Sequence, residues 1–287
     1  MDGISKAQIE KFIDEALHED VRDGDHTSLA CIPEDGRSKA RLLVKDPGVI
    51  AGVELAEMIF KKVDPTATID VRIKDGQDVY YGDEAFYVEC GSQALLKAER
   101  LVLNTMQRMS GIATMSSRFA VEVDGIDVKI LDTRKTTPLL RFLEKWAVRI
   151  GGCTNYRDGL YDWIMIKDNH VDACGNITKA IGKVHEYFKT TGKELGITVE
   201  VRNLVELYEV LEVGGVTRIM LDNFEIPILR EAVAIINGRF EAEASGGINL
   251  NTVRKIAKTG VDFISVGALT HSAGSLDLSL KVMKDEL

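Results

Sequence analysis

Cysteine is scarce in this chain, and Cys31, Cys90, Cys153 and Cys174 form no CxxC pair. Their scatter excludes a zinc ribbon or a disulfide framework as the basis of the fold, and makes a reducing cytoplasm the expected compartment. No apolar run approaches the roughly 20 residues that cross a bilayer, so no membrane partner is expected. The opening stretch MDGISKAQIEKFIDEAL is charged and amphipathic, unlike a signal peptide. Positive charge is in deficit: 36 Lys and Arg stand against 45 Asp and Glu, a net charge of −9. That argues against a nucleic-acid surface. Only five prolines occur, and no Pro/Ser-rich linker or low-complexity segment divides the chain. There is no Ser/His/Asp arrangement and no HxxEH-like spacing, which disfavours covalent catalysis and a structural zinc.

What is present is a ladder of short apolar runs in the second half, each ending in polar residues. They are VKILDTRK (128–135), WIMIKDNH (163–170), ITVEVRN (197–203), RIMLDN (218–223), FEAEASGG (240–247) and FISVGALTH (263–271). Each is β-branched and continuous, as a strand buried on both faces should be. Helical periodicity lies between most of them. Strand alternating with helix implies a parallel sheet, and this many repeats points to an α/β barrel whose active site forms at the C-terminal strand ends. Those ends carry Lys135, Lys167, Glu200, Asp222, Ser245 and His271.

The first half reads differently. Residues 4–17 form an amphipathic helix with Ile4, Ile9, Phe12, Ile13, Ala16 and Leu17 on one face. A strand is expected at Ala40–Val44, then a strand-turn-helix in VIAGVELAEMIFKKV. Alternating residues with turn glycines Gly76 and Gly82 predict antiparallel strands. A long helix or helix pair follows, broken near Gly111. The expected division is an α+β portion over 1–112, an α/β barrel over 113–270, and a final strand or helix over 271–287 that packs back on the first portion.

Four features carry chemistry. Arg134, Lys135, Arg141, Lys145, Arg149, Arg157 and Lys167 concentrate cations in one segment of an acidic chain, which suggests an anionic ligand. Lys145 is expected on a solvated helix face, whereas Arg134 and Lys135 directly end a buried strand. Next, ASGGINLNT ends a strand in Ser245-Gly246-Gly247, with a helix expected from about Asn249; SVGALTHS repeats the device at Gly267. Glycines let backbone approach an anion, and helix N-termini favour negative charge, so two such late loops read as a phosphate site. Third, Glu200 and Asp222 place carboxylates inside apolar strands, which is costly unless they are paired or bind a metal or hydroxyl. Sugar hydroxyls, Mg²⁺, a developing positive charge, or an ion pair to Lys135 or Lys167 would each satisfy them. Last, Lys167 could serve a phosphate or carboxylate as a point charge, while His170 reads as structural.

The ordered motifs LDTRKTTP, GGCTNYRDGL, IKDNHV, VEV, MLDN, EASGGIN and DFISVGALTHS closely resemble quinolinate phosphoribosyltransferases. EDVRDGDHTS, KDGQDVYYGD and AERLVLNTMQRMSGIAT extend the resemblance over nearly the whole chain. It implies an N-terminal α/β sandwich domain followed by an open α/β, TIM-like barrel. It also implies transfer of phosphoribosyl from phosphoribosyl pyrophosphate to quinolinate with Mg²⁺, yielding pyrophosphate, CO₂ and nicotinate mononucleotide for NAD biosynthesis. A homodimer, or a hexamer built as a trimer of dimers, would share active sites between subunits. By the resemblance, Arg134, Lys135, Arg157 and Lys167 bind carboxylates and phosphates, and Arg100 reaches the substrate from the partner subunit. Glu200 and Asp222 serve the ribose and Mg²⁺, with Lys135 completing the catalytic set. Ser245, Gly246, Gly267 and His271 grip the 5′-phosphate. The chain departs from the family at Tyr156, where a histidine that contacts quinolinate is usual, and at Leu139, often glycine. Tyr156 keeps one donor but loses the possible cation. A second reading is therefore the same reaction on another heteroaromatic acid.

Overall fold

Backbone alternation shapes the first elements of the chain, for which a computed structural model describes residues 4–283. Helix α1 (Lys6–Val21) starts at Ser5, whose hydroxyl accepts from the Gln8 N–H, and buries Ile9 and Ile13. After α2 (His26–Cys31) come β1 (Arg37–Val44), β2 (Gly48–Val49), α3 (Val53–Val63), β3 (Thr68–Val71), β4 (Asp78–Val79) and β5 (Glu84–Gly91). Strand β1 buries Ala40, Leu42 and Val44, every second residue, as a sheet with one packed face requires. Gly76 and Gly82 turn the chain at φ 89° and 92°. Helix α3 begins at Gly52, which has no side chain to cap with; the Asp75 carboxylate accepts from the N–H groups of Val53 and Glu54 instead.

Helix α4 (Ser92–Glu122) is one continuous helix, so the expected break at Gly111 does not occur. The glycine answers a close approach. A Cβ there would lie 1.8 Å from the Gly274 carbonyl oxygen. The late segment lies along α4 through Arg108 to the Ala273 carbonyl (2.7 Å), Leu276 N–H to the Gln107 carbonyl (3.0 Å) and Gln107 Nε2 to the Leu278 carbonyl (3.0 Å).

The ladder supplies the second sheet: β6 (Lys129–Leu131), then α5 (Arg141–Ile150), β7 (Ile164–Ile166), α6 (Asp168–Cys174), α7 (Ile177–Thr191), β8 (Ile197–Val201), α8 (Leu204–Val213), β9 (Arg218–Asp222), α9 (Ile226–Ile236), β10 (Glu241–Ser245), α10 (Val253–Ala257), β11 (Phe263–Ser265) and α11 (Ala268–His271). The six strands are parallel, in the order β6-β11-β10-β9-β8-β7. Leu131 also makes a parallel bridge to Thr154, so β6 is flanked on both sides and the sheet curls into an open barrel. All five residues of β8 are buried, as a parallel strand covered on both faces should be. Asn176 and Asn203 cap α7 and α8 through their side chains.

The last strand, β12 (Leu278–Val282), returns to the antiparallel sheet, whose order is β12-β1-β5-β3. Residues 284–287 of the expected C-terminal segment lie outside the described residues. The chain divides into one unit running to Ser117 with Phe142–Gly152 and the chain from Ala273, and a second of Arg118–Arg141 with Cys153–Ser272. Most of α5 therefore belongs with the antiparallel unit, not with the barrel portion to which its position in the sequence assigns it. Arg108 donates twice to Glu144 Oε1, at 3.1 and 2.8 Å, and Glu144 is 1% exposed. Lys145, expected on a solvated face, is 2% exposed: Leu143–Val148 are all buried, so the middle of α5 has no solvated face. No described helix is long and apolar enough to cross a membrane.

The Gly111 contact predicts that Gly111→Ala lowers stability by about 1–3 kcal/mol through overpacking. This holds even though alanine is the better helix former by about 1 kcal/mol. Urea denaturation followed by circular dichroism measures the change.

Candidate active site

Period-two geometry decides which side chains meet inside the barrel. Residues two apart on a strand face the same way, so Thr198 and Glu200, Arg218, Met220 and Asp222, Glu241, Glu243 and Ser245, and Ser265 form inward rows. At the C-terminal strand ends these rows open into a cavity of about 830 Å³. Its walls bring together Arg134, Lys135, Tyr156, Arg157, Lys167, Glu200, Asp222, Ser245, Gly246, Gly267 and His271, every expected barrel residue. Arg100, also expected at a site, lies exposed on α4 and does not line this cavity.

The early strands supply the cations. Arg157 is held below the usual guanidinium range, first by burial and then by the neighbouring charge of Arg134. The Arg134 Nε is buried without a hydrogen-bond partner among the described residues. Two crowded guanidiniums with donors to spare are a preformed receptor for an anion, since bidentate carboxylate or phosphate would relieve both costs. Buried Asp132 holds the 155–157 loop in place: it accepts from the Tyr156 N–H at 2.8 Å and from the Asn155 side chain. Lys135 is placed by its carbonyl, which accepts from the buried Thr270 hydroxyl at 2.7 Å.

The seven-cation cluster seen in the sequence therefore divides. Arg134, Lys135, Arg157 and Lys167 line the cavity. Arg141 is a brace, donating to Thr136 Oγ1 at 3.0 Å and to the Asp158 carbonyl at 2.7 Å. Lys145 and Arg149 belong to the other unit.

The middle strands supply the acids. Lys167 Nζ lies 3.0 Å from Glu200 Oε2, and Glu200 is 8% exposed. Of the partners that the sequence leaves open for Glu200, the structure supplies the ion pair to Lys167. Asp222 accepts from Asn223 Nδ2 at 2.6 Å and ends β9 beside Ser245. His170 is structural, its Nδ1 accepting from the Lys167 N–H at 3.0 Å.

The late loops are built from backbone. Gly246 has φ 98°, and a Cβ there would lie 2.2 Å from Asn223 Oδ1 and 2.9 Å from the Asn223 amide nitrogen. Gly267 leaves room for the His271 ring and the Lys135 chain, which a Cβ would meet at 3.0 Å. The helix expected from Asn249 is instead a turn, closed by Asn249 N–H to Thr252 Oγ1 at 3.0 Å, and α10 starts only at Val253. The asparagine and threonine side chains compete with helical pairing there. An anion at this end would meet loop N–H groups, Ser245 and His271 rather than a long helix dipole.

Residues missed from the sequence lie under the cavity. Arg218 stacks on Phe263, Tyr156 and Trp163 at 3.7, 4.9 and 5.7 Å. It bonds Glu241 at 2.9 Å and the fully buried Glu243 at 3.2 Å. Burial pushes the Glu243 carboxyl upward, opposed by donors from Ser265, Arg218 and Tyr156. Burial, then the charge of Glu243, pushes the Tyr156 phenol upward, so it stays a neutral hydroxyl. The signal for this layer was the alternation in FEAEAS, where acids fall on the same face as Ser245. Leu139, the other departure, sits 92% exposed at φ 66°, a backbone state that favours glycine.

Gly246→Ala is expected to weaken inorganic phosphate binding by about tenfold or more, since both the left-handed backbone and the Asn223 contact must give. Isothermal titration calorimetry on the folded variant measures the loss.

Known proteins match this arrangement throughout. Residues 25–110 match the N-terminal domain and residues 112–281 the C-terminal domain of quinolinate phosphoribosyl transferase. The chain is 48% identical over 282 residues to the decarboxylating quinolinate phosphoribosyltransferase 1b of Nicotiana tabacum, covering 93% of this chain and 80% of that protein. It is also 48% identical to the chloroplastic carboxylating nicotinate-nucleotide pyrophosphorylase of Arabidopsis thaliana, with the same coverage of 93% and 80%. The crystal structure of NadC from Streptococcus pyogenes superposes with a TM-score of 0.92 at 36% identity, covering 99% of this chain and 100% of that one. With both domains matched in order and the cavity residues in place, the chain belongs to the quinolinate phosphoribosyl transferase family.

Proposed function

We propose that this protein transfers the phosphoribosyl group of phosphoribosyl pyrophosphate to quinolinate, releasing pyrophosphate and CO₂ and forming nicotinate mononucleotide for NAD synthesis. The observation that carries this reading is the single cavity that sets a crowded Arg134–Arg157 pair, the Lys167–Glu200 pair with Asp222, and the Gly246 and Gly267 loops around one space. A pyridine dicarboxylate, a ribose and a 5′-phosphate need such groups in that order.

Arg134 and Arg157 would hold the quinolinate carboxylates, each bidentate contact fixing the plane of the ring. Ser245, Gly246, Gly267 and His271 would hold the 5′-phosphate, leaving C1 of the ribose over the middle strands. As the C1–O bond to pyrophosphate breaks, Lys135 and Lys167 neutralise the leaving group, and Glu200 and Asp222 face the oxocarbenium charge that grows on the sugar. The quinolinate nitrogen then forms the bond to C1. The resulting pyridinium withdraws electrons, so the adjacent carboxylate leaves as CO₂ and its bond electrons stay on the ring carbon until a proton arrives. No protein nucleophile is required; positioning and charge supply the rate.

Glu200 and Asp222 fit Mg²⁺ in part. No group of three or more His, Cys, Asp or Glu among the described residues could hold a metal alone. A metal entering with the diphosphate, which needs only one or two carboxylates from the protein, suits this pair. When bound there it would neutralise pyrophosphate oxygens.

Arg100 is assigned to the cavity of the partner subunit in a homodimer, or in a hexamer of such dimers. The cytoplasm is the proposed compartment, consistent with four free cysteines. Turnover of another heteroaromatic acid is the second reading, favoured by Tyr156 alone.

Incubating the protein with phosphoribosyl pyrophosphate, Mg²⁺ and quinolinate should yield CO₂ and nicotinate mononucleotide. Absence of both products, with turnover of a different pyridine acid, would select the second reading. Arg134→Ala is expected to lower kcat/KM for quinolinate by about 10- to 1000-fold, the loss of one or two charge-assisted bonds. An unchanged kcat/KM would remove Arg134 from carboxylate recognition. Mixing Arg100→Ala subunits with Lys135→Ala subunits should restore activity. No recovery despite demonstrated subunit exchange would rule out a shared site.

A further inference from the structure

At position 156 the side chain lines the cavity, yet its polar end points elsewhere. The Tyr156 hydroxyl lies 2.6 Å from Thr198 Oγ1 and is hydrogen-bonded to Glu243. Thr198 and Glu243 are both 0% exposed, and neither lines the cavity. The direction of the hydrogens follows from what each group can do. The Trp163 indole N–H only donates, and its partner is Thr198 Oγ1 at 2.8 Å. Because the Tyr156 hydrogen is taken by the Glu243 carboxylate, Thr198 turns its own hydrogen toward the Tyr156 oxygen. Tyr156, having accepted there, donates to Glu243, which also receives Ser265 and Arg218. Every hydrogen in the row Trp163, Thr198, Tyr156, Glu243 is committed inside the barrel. The ring itself is held edge-on to Trp163, with centroids 6.1 Å apart, and beneath the Arg218 guanidinium.

We propose that Thr198 and Glu243 are positioning residues that pin the Tyr156 hydroxyl inside the barrel, so that this position offers the pyridine acid an aromatic surface and no hydrogen-bond donor. The inference rests on the quinolinate reading above and refines it. Recognition of the two carboxylates then falls to the arginines, and Tyr156 sets the ring's depth and tilt by contact alone. Of the two partners of the Thr198 hydroxyl, Tyr156 and Trp163, only the tyrosine lines the cavity, so a change at Thr198 reaches the substrate through it.

The experiment compares Tyr156→Phe, Thr198→Val, Thr198→Ser and the Tyr156→Phe/Thr198→Val double variant, each checked for folding by thermal denaturation. Steady-state rates are measured with each substrate varied. Tyr156→Phe also removes the bond to Glu243, and Thr198→Val also removes the acceptor of the Trp163 indole; through the Tyr156–Thr198 link that the two variants share, each should raise the quinolinate KM by about 3- to 10-fold. The KM for phosphoribosyl pyrophosphate should stay within about twofold. The double variant should be no worse than the poorer single one, because both remove the same link. Thr198→Ser keeps the hydroxyl and should stay close to wild type, which separates the link from general damage to a buried site. If Tyr156→Phe raises the KM while Thr198→Val does not, or if the two effects multiply, the hydroxyl meets the substrate directly and the proposal falls. If Ser and Val at 198 behave alike, it falls as well. A wild type that does not turn over quinolinate overturns the functional reading and this inference together. An active wild type with the wrong variant pattern overturns this inference alone.

Discussion

A guanidinium enclosed in the barrel interior is the constraint around which the catalytic unit is organised. Arg218 is 6% exposed, sits among Phe263, Tyr156 and Trp163, and is matched by Glu241 and Glu243. Breaking a buried pair of this kind by removing one partner typically costs about 3–5 kcal/mol, because the other charge is left uncompensated. The layer therefore has little freedom. Glu243 is tied to Ser265 on the next strand, and Tyr156 to Thr198. Both Ser265 and Tyr156 also line the cavity above. The floor of the active site is thus as rigid as the charged layer beneath it.

Above that floor, charge is distributed against the character of the whole molecule. A protein of net charge −9 gathers Arg134, Lys135, Arg157 and Lys167 around one cavity. Arg134 and Arg157 are left in mutual repulsion, whereas Lys167 is compensated by Glu200. The crowded guanidinium pair is where an anion gains most. At the compensated one, cation and carboxylate stand together on the same wall. The two ends of the cavity also use different materials. Side-chain guanidinium lies at one end, and glycine backbone at the other, where Gly246 leaves no space for a side chain beside Asn223.

Much of this was legible in the chain itself. The six apolar runs became the six parallel strands, and their polar ends line the cavity, because short continuous apolar runs alternating with helical stretches are what a covered parallel sheet requires. What misled were features whose meaning depends on a distant neighbour. Gly111 reads as a helix breaker, yet it is where the Gly274 backbone crosses α4. Lys145 reads as a solvated lysine, yet the middle of α5 has no solvated face. Asn249 reads as a helix start, yet its turn closes on Thr252 and delays the helix to Val253. Local propensity was correct about the kind of residue in each case and blind to what would lie against it.

The sequence by itself determined the class of the second half, the location of its reactive ends and the family, since hydrophobic period and ordered motifs are properties of one strand at a time. Only the tertiary structure decided which charges act. Arg141 became a brace, Lys145 and Arg149 went to the other unit, and Arg218 and Glu243 emerged as the support of the cavity floor. It also decided the meaning of Tyr156, whose hydroxyl is spent on Thr198 and Glu243 rather than on the cavity. The physical reason is that a side chain's type sets which bonds it can make, while parity and closure of the sheet set which partner is within reach.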